Sequence, residues 1–298
     1  MYGQGLKLKN STTDWEFLRS KLQYKGRWQP LYNTDFHLFL ESLNLIPKPY
    51  KSSLKEEFID SIDKWILGSK LNNLKGLASF PHRDVIQGVT QQIEDLCLMK
   101  RENLCVLKGE FHYSRSISIS TREVEVSEIK RGDHVLISLP FSNSGLIHFE
   151  MSNLIEKVEK SGAFLHIDCA WLGCCRGISF DFSSLAIGSV SFSLSKSLGL
   201  GAHRIGIRYS REREAGMVTT LNDQNYLLDS PMWSGLKAME RFGVDYLQNR
   251  YYPIYKMVCE RYNFEETNTI FVAIDPSYEW LQGVGLRPVL RFIDEGKW

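Results

Sequence analysis

The stretch Ser193-Leu194-Ser195-Lys196-Ser197-Leu198-Gly199-Leu200-Gly201-Ala202-His203-Arg204-Ile205-Gly206 decides how the chain reads. An apolar run, Ile187–Phe192, delivers small hydroxyl residues and then a single lysine to the end of a strand. A glycine-rich turn follows, then an arginine eight positions after the lysine, then a further strand-like run, Arg204–Tyr209. A lysine in small, apolar surroundings is poorly solvated, which lowers its pKa and makes the neutral amine available as a nucleophile. Ser193 and Ser195 add hydroxyl donors, and the Arg204 guanidinium is a fork suited to a phosphate. The competing reading of Lys196 is a surface-loop lysine. The density of glycine and serine around one lysine and one arginine argues against it.

Upstream of this stretch, Asn103–Lys108, His134–Leu139 and Ala163–Ile167 read as short buried strands. Val85–Arg101 reads as a loop leading into a helix, and Gly145–Lys160 as a helix. Strands separated by helix-length segments predict a mainly parallel α/β sheet flanked by helices, with right-handed crossovers. In such sheets function gathers beyond the carboxyl ends of the strands. Asp168 stands at such an end, where it either caps the next helix or faces the site. Leu54, Phe58, Ile62, Trp65 and Ile66 predict one helix face, stopped near Gly68. After residue 220 the pattern becomes a smaller α+β unit. Ser230–Arg250 and Tyr252–Tyr262 read as helices and Thr269–Ile274 and Pro288–Ile293 as strands, with the N-terminal segment as the partner of this unit.

The 298 residues carry 36 Lys plus Arg against 35 Asp plus Glu, a net charge of +1, so no bulk positive field draws nucleic acid or an acidic membrane. No apolar run reaches the ~18–20 residues of a membrane helix. The opening MYGQGLKLKNSTTDWEF has no apolar core of a secretory signal. The six cysteines read as reduced, buried thiols rather than a metal framework, and the expected location is the cytoplasm.

Segment 193–206 resembles, position by position, the lysine signature of the class I/II aminotransferases, which are fold-type I pyridoxal-phosphate enzymes. Asp168 precedes Lys196 by 28 residues, a spacing similar to that of the family's acid. The resemblance covers about residues 80–210. It implies an aspartate aminotransferase-like large domain over 56–228, a reduced α+β small domain over 229–298, and an N-terminal segment, 1–55, shared between the small domain and a dimer contact. It implies pyridoxal 5'-phosphate as cofactor, Lys196 as its Schiff-base lysine and proton carrier, and Asp168 as the partner of the ring nitrogen. Gly88, Val89 and Thr90 at a helix start, with Ser193, Ser195 and Arg204, would hold the phosphate. Phe111 would stack on the ring, with His112 and Tyr113 as competitors.

Where the family usually reads N-P-T-G, this chain has Ser142-Asn143-Ser144-Gly145, and Asn143 is preferred over Ser142 for the ring hydroxyl. Trp171 replaces the usual tyrosine. Arg291 is the first choice for the substrate carboxylate and Arg287 the second. The implied activity is transamination between an amino acid, or a similar amine, and a keto acid. The alternatives are a decarboxylase, lyase or carbon–carbon bond-forming enzyme with the same cofactor, or a non-catalytic binding module. The resemblance also implies a homodimer, with Trp28, Tyr32 and Phe36 as candidate contact residues.

Overall fold

The structure, a computed structural model, describes residues 14–24, 31, 33–43, 53–277 and 283–294. Its centre is a seven-stranded sheet. In chain order the strands are β1 (His82–Ile86), β2 (Leu104–Leu107), β3 (Arg122–Val124), β4 (His134–Ser138), β5 (Phe164–Cys169), β6 (Ile187–Ser193) and β7 (Gly206–Ser210), arranged β1-β7-β6-β5-β4-β2-β3. β2 and β4 are buried at every position, as expected of parallel strands covered on both faces. Helix α2 (Val89–Met99) lays Val89, Ile93, Leu96 and Cys97 on Leu104, Val106 and Leu136. Helix α3 (Met151–Ser161) contributes Leu154 and Val158 to the larger core, with Val135, Ile137, Leu165 and Ile167.

The sheet is parallel except at β7, which runs against both neighbours. Only the residues Leu194–Ile205 join β6 to β7, and the helix among them has four residues. That is too little chain for a crossover to a parallel neighbour, so the strand returns beside β6. β1, which the sequence placed in a loop before a helix, is paired with β7. Its polar residues are matched by partners, Arg83 to Asp63 and Asp84 to Arg208. Helix α1 (Leu54–Leu67) buries the five apolar residues of its predicted face and packs on helix α4 (Asp229–Arg241).

Four expected elements differ. The helix expected over 145–160 begins only at Met151, because Gly145, at φ +72°, closes a tight turn with Phe141. The expected helix over 230–250 is broken between Arg241 and Tyr246, where Phe242 is extended and Gly243 follows. The second helix, α5, is Tyr246–Tyr262. The strand expected over 269–274 is confined to Val272–Ile274, within a three-stranded antiparallel sheet. The strand expected at 288–293 is instead helix α6 (Arg287–Asp294). Pro288 suits a first helical turn, and Val289, Leu290 and Ile293 form its buried face.

Segments near the first and last described residues meet. Gln23 and Gly285 exchange backbone hydrogen bonds of 3.1 and 2.9 Å, and Phe17 packs edge-on against Phe292. Phe36 is buried within the chain against Phe242 and Tyr246, so it is not the exposed contact residue expected from the sequence; Trp28 and Tyr32 lie outside the described residues. The six cysteines are buried and free. Among the described residues no helix is long and apolar enough to cross a membrane, and no group of His, Cys, Asp and Glu is arranged to hold a metal ion.

Candidate active site

The carboxyl ends of β4, β5 and β6 bring Ser138, Asp168 and Ser193 side by side; Ser138 pairs with Asp168, and Asp168 with Ser191. Ser193 ends its strand in extended conformation, and its Oγ accepts a 3.1 Å hydrogen bond from the Ser195 N–H. This turns the chain into the short helix Leu194–Ser197, which carries Lys196 over the strand end. The next turn needs two residues with positive φ, Gly199 (+68°) and Arg204 (+53°). For a non-glycine residue the left-handed region costs about 1 kcal/mol or more. The strain aims the Arg204 guanidinium at the N-terminal end of α2, where Nη2 donates to Thr90 Oγ1 and Nη1 lies 3.5 Å from Ser195 Oγ.

Gly88 precedes α2 at φ +76°, and a Cβ there would stand 2.8 Å from Arg204 Nη2. The bare backbone, the free N–H groups of an 11-residue helix, a guanidinium and two hydroxyls therefore form one cup of donors. Gly88, Val89, Thr90, Ser195 and Arg204 belong to it, and Ser193 stands behind it, its hydroxyl donating to Ser195 Oγ at 2.9 Å.

Lys196 is the electrostatic meeting point. Burial pushes its pKa below the ordinary amine range; Arg287 and Arg204 push the same way, and Asp168 opposes them. Burial raises the Asp168 carboxyl to about 6, while Lys196 and the Ala170 N–H, 2.7 Å from Oδ1, favour its ionised form. The lysine, the aspartate and both arginines thus share one neighbourhood.

Arg287 opens α6 and is 7% exposed. Its guanidinium lies 5.0 Å from the centre of the Phe271 ring, and burial lowers its pKa to about 10. Arg291, expected in mid-strand, lies instead one turn further along a helix and is partly exposed, and it is Arg287 that acts on Lys196. Trp171 packs edge-on against the same Phe271, centroids 5.8 Å apart. Phe111 is 41% exposed and lies parallel to Tyr113. Of residues 111–113, Tyr113 is the one that packs, with Trp171, on the cluster beneath α2; it lies in electrostatic reach of Arg204, and its hydroxyl donates to Glu94 at 2.5 Å. Asn143 points its Nδ2 toward Gly109, and its backbone carbonyl accepts from Gly283 N–H at 2.8 Å. Ser142 instead donates to Glu110 Oε1 at 2.7 Å.

Two neighbours went unread in the sequence. Cys174 sits beside Lys196 and Arg287, and Glu110 lies behind Ser138. A lone glutamate and one thiol in an apolar run carry no spacing that would reveal them.

No family model matches the chain, and no curated protein does. Solved structures do. A pyridoxal-phosphate-bound C-S lyase from Staphylococcus hominis, complexed with L-cycloserine, aligns with a TM-score of 0.61 and 13% identity, covering 84% of this chain and 73% of that one. An aromatic aminotransferase from Pyrococcus horikoshii aligns at 0.59 and 11%, covering 91% and 94%. The chain has the fold of these enzymes. An aromatic-amino-acid aminotransferase from Burkholderia pseudomallei, covalently bound to pyridoxal phosphate, aligns at 0.52 and 13%, covering 79% and 75%. The mostly parallel sheet flanked by helices is thus aspartate aminotransferase-like, as the resemblance at 193–206 implied.

Proposed function

We propose that this chain is a pyridoxal-phosphate-dependent aminotransferase, moving an amino group between an amino acid, or a similar amine, and a keto acid. The observation that supports it most is the convergence of Lys196, Asp168 and Arg204 at the carboxyl end of the sheet. The cup fits a phosphate dianion, since a side chain at Gly88 would fill the space against Arg204. The raised carboxyl of Asp168 fits a cationic partner, which would favour its ionised form. When bound, the cofactor supplies a protonated ring that stabilises negative charge at the substrate Cα.

The chain's own residues do the rest. Thr90, Ser195, Arg204 and the first N–H groups of α2 hold the phosphate, with Ser193 supporting Ser195. Asp168 keeps the ring nitrogen protonated. Asn143 and Trp171 stand for the ring hydroxyl, and Tyr113 rather than Phe111 for the ring face. Lys196 holds the cofactor covalently. Its Nζ would also be the base that takes the substrate Cα proton and gives it back. Its lowered pKa makes the neutral, proton-accepting amine more available than in an exposed lysine. Arg287 receives the substrate carboxylate as a bidentate pair. The reading includes a cytoplasmic homodimer divided near residues 56 and 229, and sedimentation tests the dimer.

The purified protein should absorb in the visible range, and borohydride should fix the cofactor's mass on Lys196. Amino acids should then yield keto acids. Release of ammonia or carbon dioxide instead would move the assignment to a lyase or decarboxylase. Absence of bound cofactor would overturn it.

A further inference from the structure

Glu110 is a carboxylate only 4% exposed, directly behind the candidate site. Among the described residues its partners are neutral donors. Oε1 accepts from the Phe111 N–H at 2.6 Å, from the Ser142 hydroxyl at 2.7 Å and from the Ser138 hydroxyl, and Oε2 accepts from the Ser138 N–H at 2.6 Å. Four donors converging on two oxygens suit a carboxylate. Ser138 stands directly across from Asp168 in the sheet, and the next N–H, of Leu139, donates to the Asp168 carbonyl at 2.8 Å. One buried charge therefore ties the turn bearing the aromatic run 111–113 to the turn bearing Ser142 and Asn143, and it does so beside Asp168.

We propose, on the cofactor reading above, that Glu110 is a positioning residue: it fixes the two turns that flank the ring and places a second negative charge behind Asp168, so that bound cofactor keeps its protons to higher pH than Asp168 alone would secure. The groups facing Asp168 are Lys196, which favours its ionised form, and Glu110, which opposes it. Lys196 is faced in turn by Arg204, Arg287 and Cys174. On its other side Glu110 faces His148, itself near Glu150 and Glu125. Glu110 is thus the second carboxylate beside Asp168, and a fixed negative charge favours the cationic form of whatever titrates near it.

The test is a pH titration of the holoenzyme followed by its visible absorption. In Glu110→Gln the midpoint should fall by about one unit, the size expected of one partly screened charge nearby. Glu110→Asp should restore it to within a few tenths. Ser142→Ala leaves the carboxylate in place with one donor fewer, so less of its charge is balanced locally and the midpoint should rise slightly. It serves where Glu110→Gln does not fold. A midpoint that stays at the wild-type value in every variant that binds cofactor overturns the proposal and leaves Glu110 a loop clamp. A wild-type protein with no visible band overturns the cofactor reading itself, which is a separate result.

Discussion

Two polar clusters lie on the same face of the central sheet, one at the carboxyl ends of its strands and one running from mid-sheet at Arg208 to the amino end of β4 at His134, and they are built on opposite principles. In the second, Arg208 donates to Asp84 at 2.6 Å, to Asp95 at 3.0 Å and to Gln92 at 3.2 Å. Gln92 donates to Ser189 at 3.4 Å; Ser189 lies 2.8 Å from His166, and His166 lies 3.0 Å from His134. Each group there is met by one of complementary character. At the carboxyl end, Lys196 and Asp168 are both pushed toward their neutral forms, and the turn that aims Arg204 is strained. Matched groups hold a fold together, whereas groups held away from their preferred charge state are poised to act on something else. The difference supports the carboxyl end as the place of the proposed chemistry.

The contrast breaks first at Lys196. Lys196→Ala should remove covalent cofactor attachment and lower turnover by about 10³-fold or more, while the apo protein melts at or above the wild-type temperature because a poorly solvated amine has gone. Steady-state rates and apo thermal melts check the two halves. In the other cluster the expectation reverses. Arg208→Met leaves Asp84 and Asp95 buried beside an apolar chain and should cost about 3–5 kcal/mol in denaturant unfolding. Whatever holoenzyme remains should keep a normal visible spectrum. A spectrum that changed in step with stability would mean the two clusters are one system.

How much of this the sequence disclosed divides along the same line. Lys196, its glycine-rich turn, Asp168 and the buried strands were legible because spacing and apolar runs are local signals. The reversal of β7 follows from the short link between Ser193 and Gly206, a length that could have been weighed. Helix α6 was misread as a strand because Val289-Leu290 beside Phe292-Ile293 satisfies both periods over so short a run. The mid-strand placement of Arg291 was the ground for preferring it to Arg287, and the helix removes that ground. Glu110 and the chain from Arg208 to His134 were invisible, because their partners come from elements far apart in sequence and only the sheet register joins them.

A smaller effect sharpens the comparison through Asp168. Its carboxyl is raised by burial from 3.8 to about 6, so it holds its proton more tightly folded than unfolded. Across that window the apo protein loses stability from this group as pH rises, and the loss is complete above it. Asp168→Asn should therefore stabilise the apo protein at pH 7 by about 1–2 kcal/mol. The gain should vanish once both folded and unfolded carboxyls are protonated, while cofactor function is lost. Melting curves of apo wild type and variant across pH settle the sign.

The smallest effect has the opposite sign and sits at the amino end. Burial lowers His134 from 6.5 to about 4, with Lys100 adding to the shift, so its proton binds more tightly in the unfolded chain. Between those values stability from this group rises with pH, and it is lost as the solution is acidified. His166, fully enclosed and lowered by burial and by His134, adds to the same slope. His134→Gln keeps a group able to hydrogen-bond His166 and should cost only about 1 kcal/mol at pH 7. Its stability should fall less steeply than wild type on acidification, whereas Asp168→Asn should fall more steeply, since it has lost a group that gains from acid. Parallel pH profiles in the two variants would contradict the raised carboxyl of Asp168 and the lowered imidazoles of His134 and His166.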